Sequence, residues 1–120
     1  MIDKVVIDNA VPTEEFKGLQ QAILHDEFDW YFRNTISGAV AGQSQFIHPF
    51  HINGLVTTTR EKFSVLFPIL NVLGPTAIIR IKANSTHKTP QSVETGLHID
   101  VKTPGSLTAI FYVNSNNGYT

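Results

Sequence analysis

Apolar residues recur with a helical period in two parts of this chain. In residues 11–26, "VPTEEFKGLQQAILHD", Phe16, Leu19, Ile23 and Leu24 are spaced to lie on one face of a helix. Pro12 suits the first helical turn, and the two acidic residues that follow favour the positive end of the helix dipole. The pattern therefore predicts a first helix close to the N-terminus.

The second helical pattern covers residues 57–75, "TTTREKFSVLFPILNVLGP". Thr58 and Glu61 have the spacing of a capping box, and Gly74-Pro75 is a strong helix stop. Pro68 lies inside the pattern, where its ring and its missing N–H disrupt a helix. We therefore expect this helix to be kinked or split in two at Pro68.

Elsewhere the apolar positions alternate or cluster as β-branched and aromatic residues, which is typical of strands. The segment 35–56 instead mixes Gly, Ser and Pro with isolated apolar residues, which predicts a loop or an irregular hairpin. A polar loop is expected over 85–95, and turns are expected at "PGS" and in "SNNGYT". Strands are predicted over residues 3–11, 27–35, 76–84, 96–102 and 107–114.

Two early helices followed mainly by strands predict an α+β fold with an antiparallel sheet in a single domain, residues 1–120. The strand predicted over 107–114 would have no hairpin partner after it, which would expose an apolar sheet edge. We therefore expect the chain to form a homo-oligomer through that edge.

Composition and charge exclude several classes of protein. The net charge of −1 gives no electrostatic footprint for nucleic acid or an acidic membrane. The absence of cysteine excludes disulfides, thiolate metal sites and cysteine nucleophiles, and it is compatible with the cytoplasmic location that we expect. No run of apolar residues approaches the length of a membrane span.

The candidate chemistry lies in "TGLHIDV", residues 95–101. His98 and Asp100 are two apart in a predicted strand, so both side chains project from one face. An imidazole and a carboxylate, completed by a second histidine, form the facial triad of non-haem Fe(II) oxygenases. The spacing alone also fits a solvated histidine beside a turn-capping aspartate. His48 and His51 flank a proline, and we expect them to be solvated imidazoles in a loop rather than a metal clamp.

A longer stretch around this motif resembles a known family. "IIRIKANST", a polar loop, "TGLHIDV" and "SLTAIFYVNSNNGYT" follow one another. This order is similar to that of the 2-oxoglutarate/Fe(II)-dependent dioxygenases, in particular their prolyl-4-hydroxylase-like branch. The resemblance is specific over about residues 76–120. It implies a double-stranded β-helix, or jelly roll, of which this chain supplies the N-terminal helices and about half of the strands.

The resemblance also implies roles for individual residues. His98 and Asp100 would be ligands of Fe(II). Tyr112, and more weakly Thr108, would bind the distal carboxylate of 2-oxoglutarate, and Asn84 would point into the same cavity. The implied reaction is hydroxylation by dioxygen of a peptide or small molecule, with ascorbate as a further candidate cofactor.

The sequence departs from the family pattern after the H-x-D motif. That pattern continues with a second ligating histidine and then an Arg or Lys for the cosubstrate carboxylate, whereas the other histidines here all precede His98. We therefore expect the chain to be the N-terminal part of a longer hydroxylase. One alternative is a non-catalytic oligomeric binding or structural module with an oxygenase-like half-barrel. Another is a cupin-like metal-binding protein, although "GLHIDV" has only one histidine where that class usually supplies more.

Overall fold

A computed structural model describes residues 4–35, 43–91 and 101–118. The chain divides into two compact units. Unit 1 comprises residues 1–29 and 49–83, and unit 2 comprises residues 30–48 and 84–120. The expectation of a single domain over 1–120 stays a prediction.

The first helix, α1, spans Thr13–Ile23 and confirms the helix predicted over this region. Pro12 precedes it, and two glutamates occupy its first turn, where the exposed N–H groups favour negative charge. Leu19 and Ile23, four residues apart on one helical face, are buried, whereas Leu24 is 54% exposed, so its place on the buried face was wrong. No basic residue lies in the last turn of α1.

The second helical pattern forms two short helices, α2 (Arg60–Ser64) and α3 (Phe67–Leu73). The split falls at Pro68, which lies in the first turn of α3, where a missing N–H costs least. The prediction of a split is confirmed, but the capping residue was wrong by one position. The hydroxyl of Thr59, not that of Thr58, accepts the Lys62 backbone N–H at 3.2 Å. Gly74 ends α3 in the left-handed conformation at φ 55°.

The described residues form four strands, which span Tyr31–Arg33 (β1), Gln45–Ile52 (β2), Leu55–Val56 (β3) and Arg80–Ser85 (β4). All four belong to one sheet, and β2 is the longest. β1 pairs antiparallel with the first part of β2, with Phe32 opposite Phe46. β3 pairs antiparallel with the end of β2, with Ile52 opposite Leu55, and β4 also pairs with β2.

The hairpin between β2 and β3 turns on Asn53 and Gly54, both with positive φ, of 49° and 84°. Two-residue hairpin loops favour Asn-Gly because both positions need a left-handed backbone. Of the two structures predicted for 35–56, a hairpin is therefore present over 45–56. Mixed helix and antiparallel sheet confirm the α+β class.

The apolar core lies in unit 1. Phe50 is its most buried large side chain, at 1% exposure, and its ring centroid is 6.1 Å from that of Phe28. This ring contact joins β2 to the segment that follows α1. The buried apolar residues of the described chain are Val11, Leu19, Ile23, Phe28, Phe50 and Leu66.

Two strand predictions were wrong. Residues 4–11 form no strand, and Val5 is 76% exposed. Residues 107–114 also form no strand, and Leu107 is 97% exposed. β-branched and aromatic residues favour a pleated, half-buried surface, but a strand also needs a neighbouring strand to satisfy its backbone. In the described chain these two segments are not part of the sheet.

The remaining strand predictions held in part. The strands predicted over 27–35 and 76–84 are present as β1 and β4, the first much shorter and the second shifted towards its C-terminal end. Of the strand predicted over 96–102, residues 96–100 lie outside the described chain, and Val101 and Lys102 are not in a strand. The turn at Pro104-Gly105 is confirmed, with the Ser106 N–H donating to the Thr103 carbonyl at 3.2 Å. Within the described ranges, no helix is both long and apolar enough to cross a membrane.

Candidate functional site

The two predicted iron ligands, His98 and Asp100, lie outside the residues that the structure describes. Their role as metal ligands stays a prediction. Over 4–35, 43–91 and 101–118, no three histidine, aspartate or glutamate side chains converge on a point that could hold a metal ion.

The three residues predicted to bind 2-oxoglutarate are described, and all are exposed. Asn84 lies near the end of β4. Thr108 and Tyr112 lie in the segment that forms no strand, and Tyr112 is 50% exposed. Residues 107–114 form no strand, so alternation along a strand does not place Thr108 and Tyr112 on one face. Their binding role rests on the resemblance alone.

His48 and His51 were expected to be solvated in a loop, and this expectation was wrong. Both lie in β2, at 2% and 8% exposure. Side chains alternate along a strand, so a spacing of three residues directs the two imidazoles to opposite faces. The pair therefore does not form a metal clamp. The signal that the sequence offered was the number of aromatic and β-branched residues in "QFIHPFHI", which Pro49 obscured.

Thr57 contacts the backbone of β2 at Pro49. Proline donates no backbone hydrogen bond, so it weakens a central ladder. Its carbonyl accepts the Thr57 hydroxyl at 2.7 Å, and the next carbonyl, that of Phe50, accepts the Thr57 N–H at 3.0 Å. These two hydrogen bonds from Thr57 stabilise β2 next to the proline.

The buried Nδ1 atom of His51, also in β2, has no hydrogen-bond partner in the described part of the chain.

In unit 2, sequence reasoning missed a contact cluster around His87. Its Nε2 lies 3.3 Å from the Ser44 Oγ, and its ring meets that of Phe46 edge-on at 5.5 Å. Phe46 in turn meets its cross-strand partner Phe32 edge-on at 5.7 Å. This arrangement joins the loop after β4 to β1 and β2. In the sequence His87 is a polar loop residue, so only the fold could place it here.

The Ser44–His87 pair does not by itself make a nucleophile. An activated serine needs its histidine to be oriented by a third group, usually a carboxylate. Within the described residues, no carboxylate contacts the His87 ring. The edge-on ring contacts are the kind that stabilise packing, and we interpret this cluster as structural.

No family model matches the sequence of this chain, and neither a curated protein nor a solved structure matches it.

Proposed function

We propose that this chain provides the metal-binding part of an Fe(II)- and 2-oxoglutarate-dependent dioxygenase, a hydroxylase of the prolyl-4-hydroxylase-like kind. The observation that carries the proposal is the His98-Ile99-Asp100 motif in its sequence setting. β4 contains Lys82-Ala83-Asn84, and an exposed stretch follows it. The Gly118 N–H donates to the Asn116 side chain at 2.9 Å, which is the turn chemistry expected of the N-x-G segment.

The donor set of the motif fits such a metal. A neutral imidazole and a carboxylate are two of the three protein ligands in the facial triad of non-haem Fe(II) oxygenases, and the resemblance implies a further histidine as the third. Fe(II) with bound 2-oxoglutarate supplies the activation of dioxygen that C–H hydroxylation needs. The protein's part is to hold the metal through His98 and Asp100.

The remaining roles concern the cosubstrate and the substrate. Tyr112 and Asn84 would donate hydrogen bonds to a carboxylate of 2-oxoglutarate, with Thr108 as a weaker candidate. The proposed substrate is a peptide or small molecule, and ascorbate is a candidate reductant. The finer fold, a partial double-stranded β-helix in a cytoplasmic protein, belongs to the same proposal.

Metal titration tests this proposal directly. Co(II), a spectroscopic substitute for Fe(II), is titrated into the chain and followed by its visible absorption and by calorimetry. We expect His98→Ala and Asp100→Ala each to weaken binding by at least about tenfold, since each removes one ligand. His87→Gln is the matched control, a histidine outside the motif, and should leave the affinity unchanged. Equal binding by all four proteins would remove His98 and Asp100 from the site.

Cosubstrate binding gives a second readout. Anaerobic addition of 2-oxoglutarate to the Fe(II)-loaded chain should produce the charge-transfer absorption of a 2-oxo acid chelated to Fe(II). Tyr112→Phe should weaken this binding, because it removes the hydroxyl donor and keeps the ring. An unchanged affinity for 2-oxoglutarate in Tyr112→Phe would exclude Tyr112 from the cosubstrate site.

A second candidate function is a non-catalytic oligomeric binding or structural module. It is favoured by the exposed apolar side chains of Leu107, Ile110 and Tyr112, at 97%, 54% and 50% exposure. Large apolar side chains exposed close together in sequence favour a contact with another protein surface. Light scattering coupled to size exclusion checks it: an oligomer supports the module, and a monomer at all concentrations contradicts it.

A further inference from the structure

Unit 1 contains an open groove that the proposed oxygenase chemistry does not use. It has a volume of about 470 Å³ and lies between the C-terminal half of α1 and the start of α2. Ala22, Phe28 and Val65 give it an apolar floor. Its size falls within the range of small-molecule sites. The polar side chains at the rim of the groove therefore determine which class of ligand it could bind.

Gly18 keeps one wall of the groove open. It lies in the interior of α1, where glycine is less favourable than alanine. A Cβ atom added at Gly18 would meet no atom within 4 Å, so packing in unit 1 does not require glycine there. A longer side chain at this position would have room to extend into the groove that Gly18 lines.

The rim carries uncompensated negative charge. Glu27 and Glu61 line the groove, and neither carboxylate has an ion-pair partner in the described chain. The one ammonium on the rim, that of Lys62, is already paired with Asp29. A cation entering the groove would therefore meet two available carboxylates.

The C-terminal end of α1 adds to the negative electrostatic potential at the rim of the groove. Its last turn holds no basic residue, so its C-terminal carbonyl groups present uncompensated partial negative charge. His25 lies beside them and its Nδ1 accepts the Glu27 N–H at 3.1 Å. A second open groove, of about 560 Å³, shares Gln21 and His25 with the first and brings Asp26 to the same end of the helix.

We propose that the groove binds a small organic cation, a primary ammonium attached to a short aromatic or aliphatic group. The apolar part would cover Ala22, Phe28 and Val65, and the ammonium would be bound by Glu27, Glu61 and the carbonyl end of α1. An anion is disfavoured because its charge would face two carboxylates and the negative end of a helix.

The test uses the metal-free full chain and 2-phenylethylammonium chloride as the probe, followed by ¹H–¹⁵N NMR. We expect saturable shifts at the backbone amides of residues 18–28 and 60–65. The neutral analogue 2-phenylethanol has the same ring and chain, and we expect it to bind at least tenfold more weakly. Equal affinity for the two probes, or shifts centred elsewhere, would overturn the proposal.

Two comparisons between variants test whether the ammonium ion binds in this groove. The double variant Glu27→Gln, Glu61→Gln should weaken ammonium binding at least tenfold, whereas Glu15→Gln, on the same helix and outside the groove, should not change it. Gly18→Gln should weaken binding more than Gly18→Ala, because the longer side chain would occupy more of the groove. Circular dichroism confirms that each variant is folded. Unchanged affinity in the double variant would contradict the proposed role of the carboxylates, whatever the outcome of the metal titration.

Discussion

The two units of this chain bury different kinds of side chain. All the buried apolar residues of the described chain lie in unit 1, where Leu19 and Phe50 are the most enclosed. In the described part of unit 2, the buried side chains are Gln45 and His48, both polar. Since apolar burial is the main favourable term in folding, unit 1 has the interactions that stabilise a fold. The described part of unit 2 depends more on its strand ladder and ring contacts.

The two units also differ in the charge of their described side chains. Unit 1 mixes both signs, and its groove leaves two carboxylates without ion-pair partners in the described chain. The charged side chains described in unit 2 are Arg33, Lys88 and Lys102, all of them basic. An organic cation is therefore expected to bind unit 1 rather than the described surface of unit 2.

The largest expected effect tests the difference in burial. Phe50→Ala should destabilise the protein by about 3–5 kcal/mol, because it removes a fully buried ring and leaves a cavity beside Phe28. The matched substitution in unit 2, Phe32→Ala, removes a ring that is 55% exposed and should cost about 1 kcal/mol or less. Urea unfolding curves give both values. Equal losses would contradict the contrast between the units.

The next effect concerns the start of α2 in unit 1. Thr59→Ala should cost about 1 kcal/mol, because it removes the hydroxyl that accepts the Lys62 N–H. Thr59→Ser keeps that hydroxyl and is the control. Chemical denaturation of the two variants distinguishes a lost cap from a general effect of substitution. If serine destabilises as much as alanine, the hydroxyl is not the stabilising group.

Two glycines of unit 1 should respond with opposite sign. Gly18→Ala should stabilise the protein by about 0.5–1 kcal/mol, since α1 gains helix propensity and nothing obstructs the added methyl group. Gly74→Ala should destabilise it by about 1 kcal/mol, because Gly74 has a positive φ that alanine adopts with strain. Thermal unfolding measures both shifts. A loss of stability in Gly18→Ala would show that the helix tolerates no side chain there.

The smallest expected effect lies in unit 2. Leu107→Ser should change stability by less than about 0.5 kcal/mol, since a side chain that is 97% exposed contributes little burial. If residues 107–112 mediate self-association, the same substitution should shift the chain towards monomer in light scattering. A matched substitution of another exposed apolar residue, Leu55→Ser, at 70% exposure, controls for a general change in solubility. A stability loss comparable to that of Phe50→Ala would mean that Leu107 is buried in solution.

Local patterns in the sequence determined the helices and the turns. Pro12, Pro68 and Gly74 act through the backbone of their own turn, so the beginning of α1, the split between α2 and α3 and the end of α3 follow from sequence. The same holds for the turn at Pro104-Gly105. The α+β class could be predicted because helical and strand periods are both visible, and the H-x-D motif could be found because two residue types at a fixed spacing carry its chemistry.

The tertiary structure alone decided which apolar segments pair and which polar side chains become buried. Residues 4–11 and 107–114 have strand propensity, but a strand forms only where a neighbouring strand satisfies its backbone. The segment "QFIHPFHI" forms β2, with which the other strands of the sheet pair. For the same reason His48 and His51 are buried rather than solvated. The tertiary structure also formed the groove beside α1, since Glu27 and Glu61 are distant in sequence and line the same groove in unit 1.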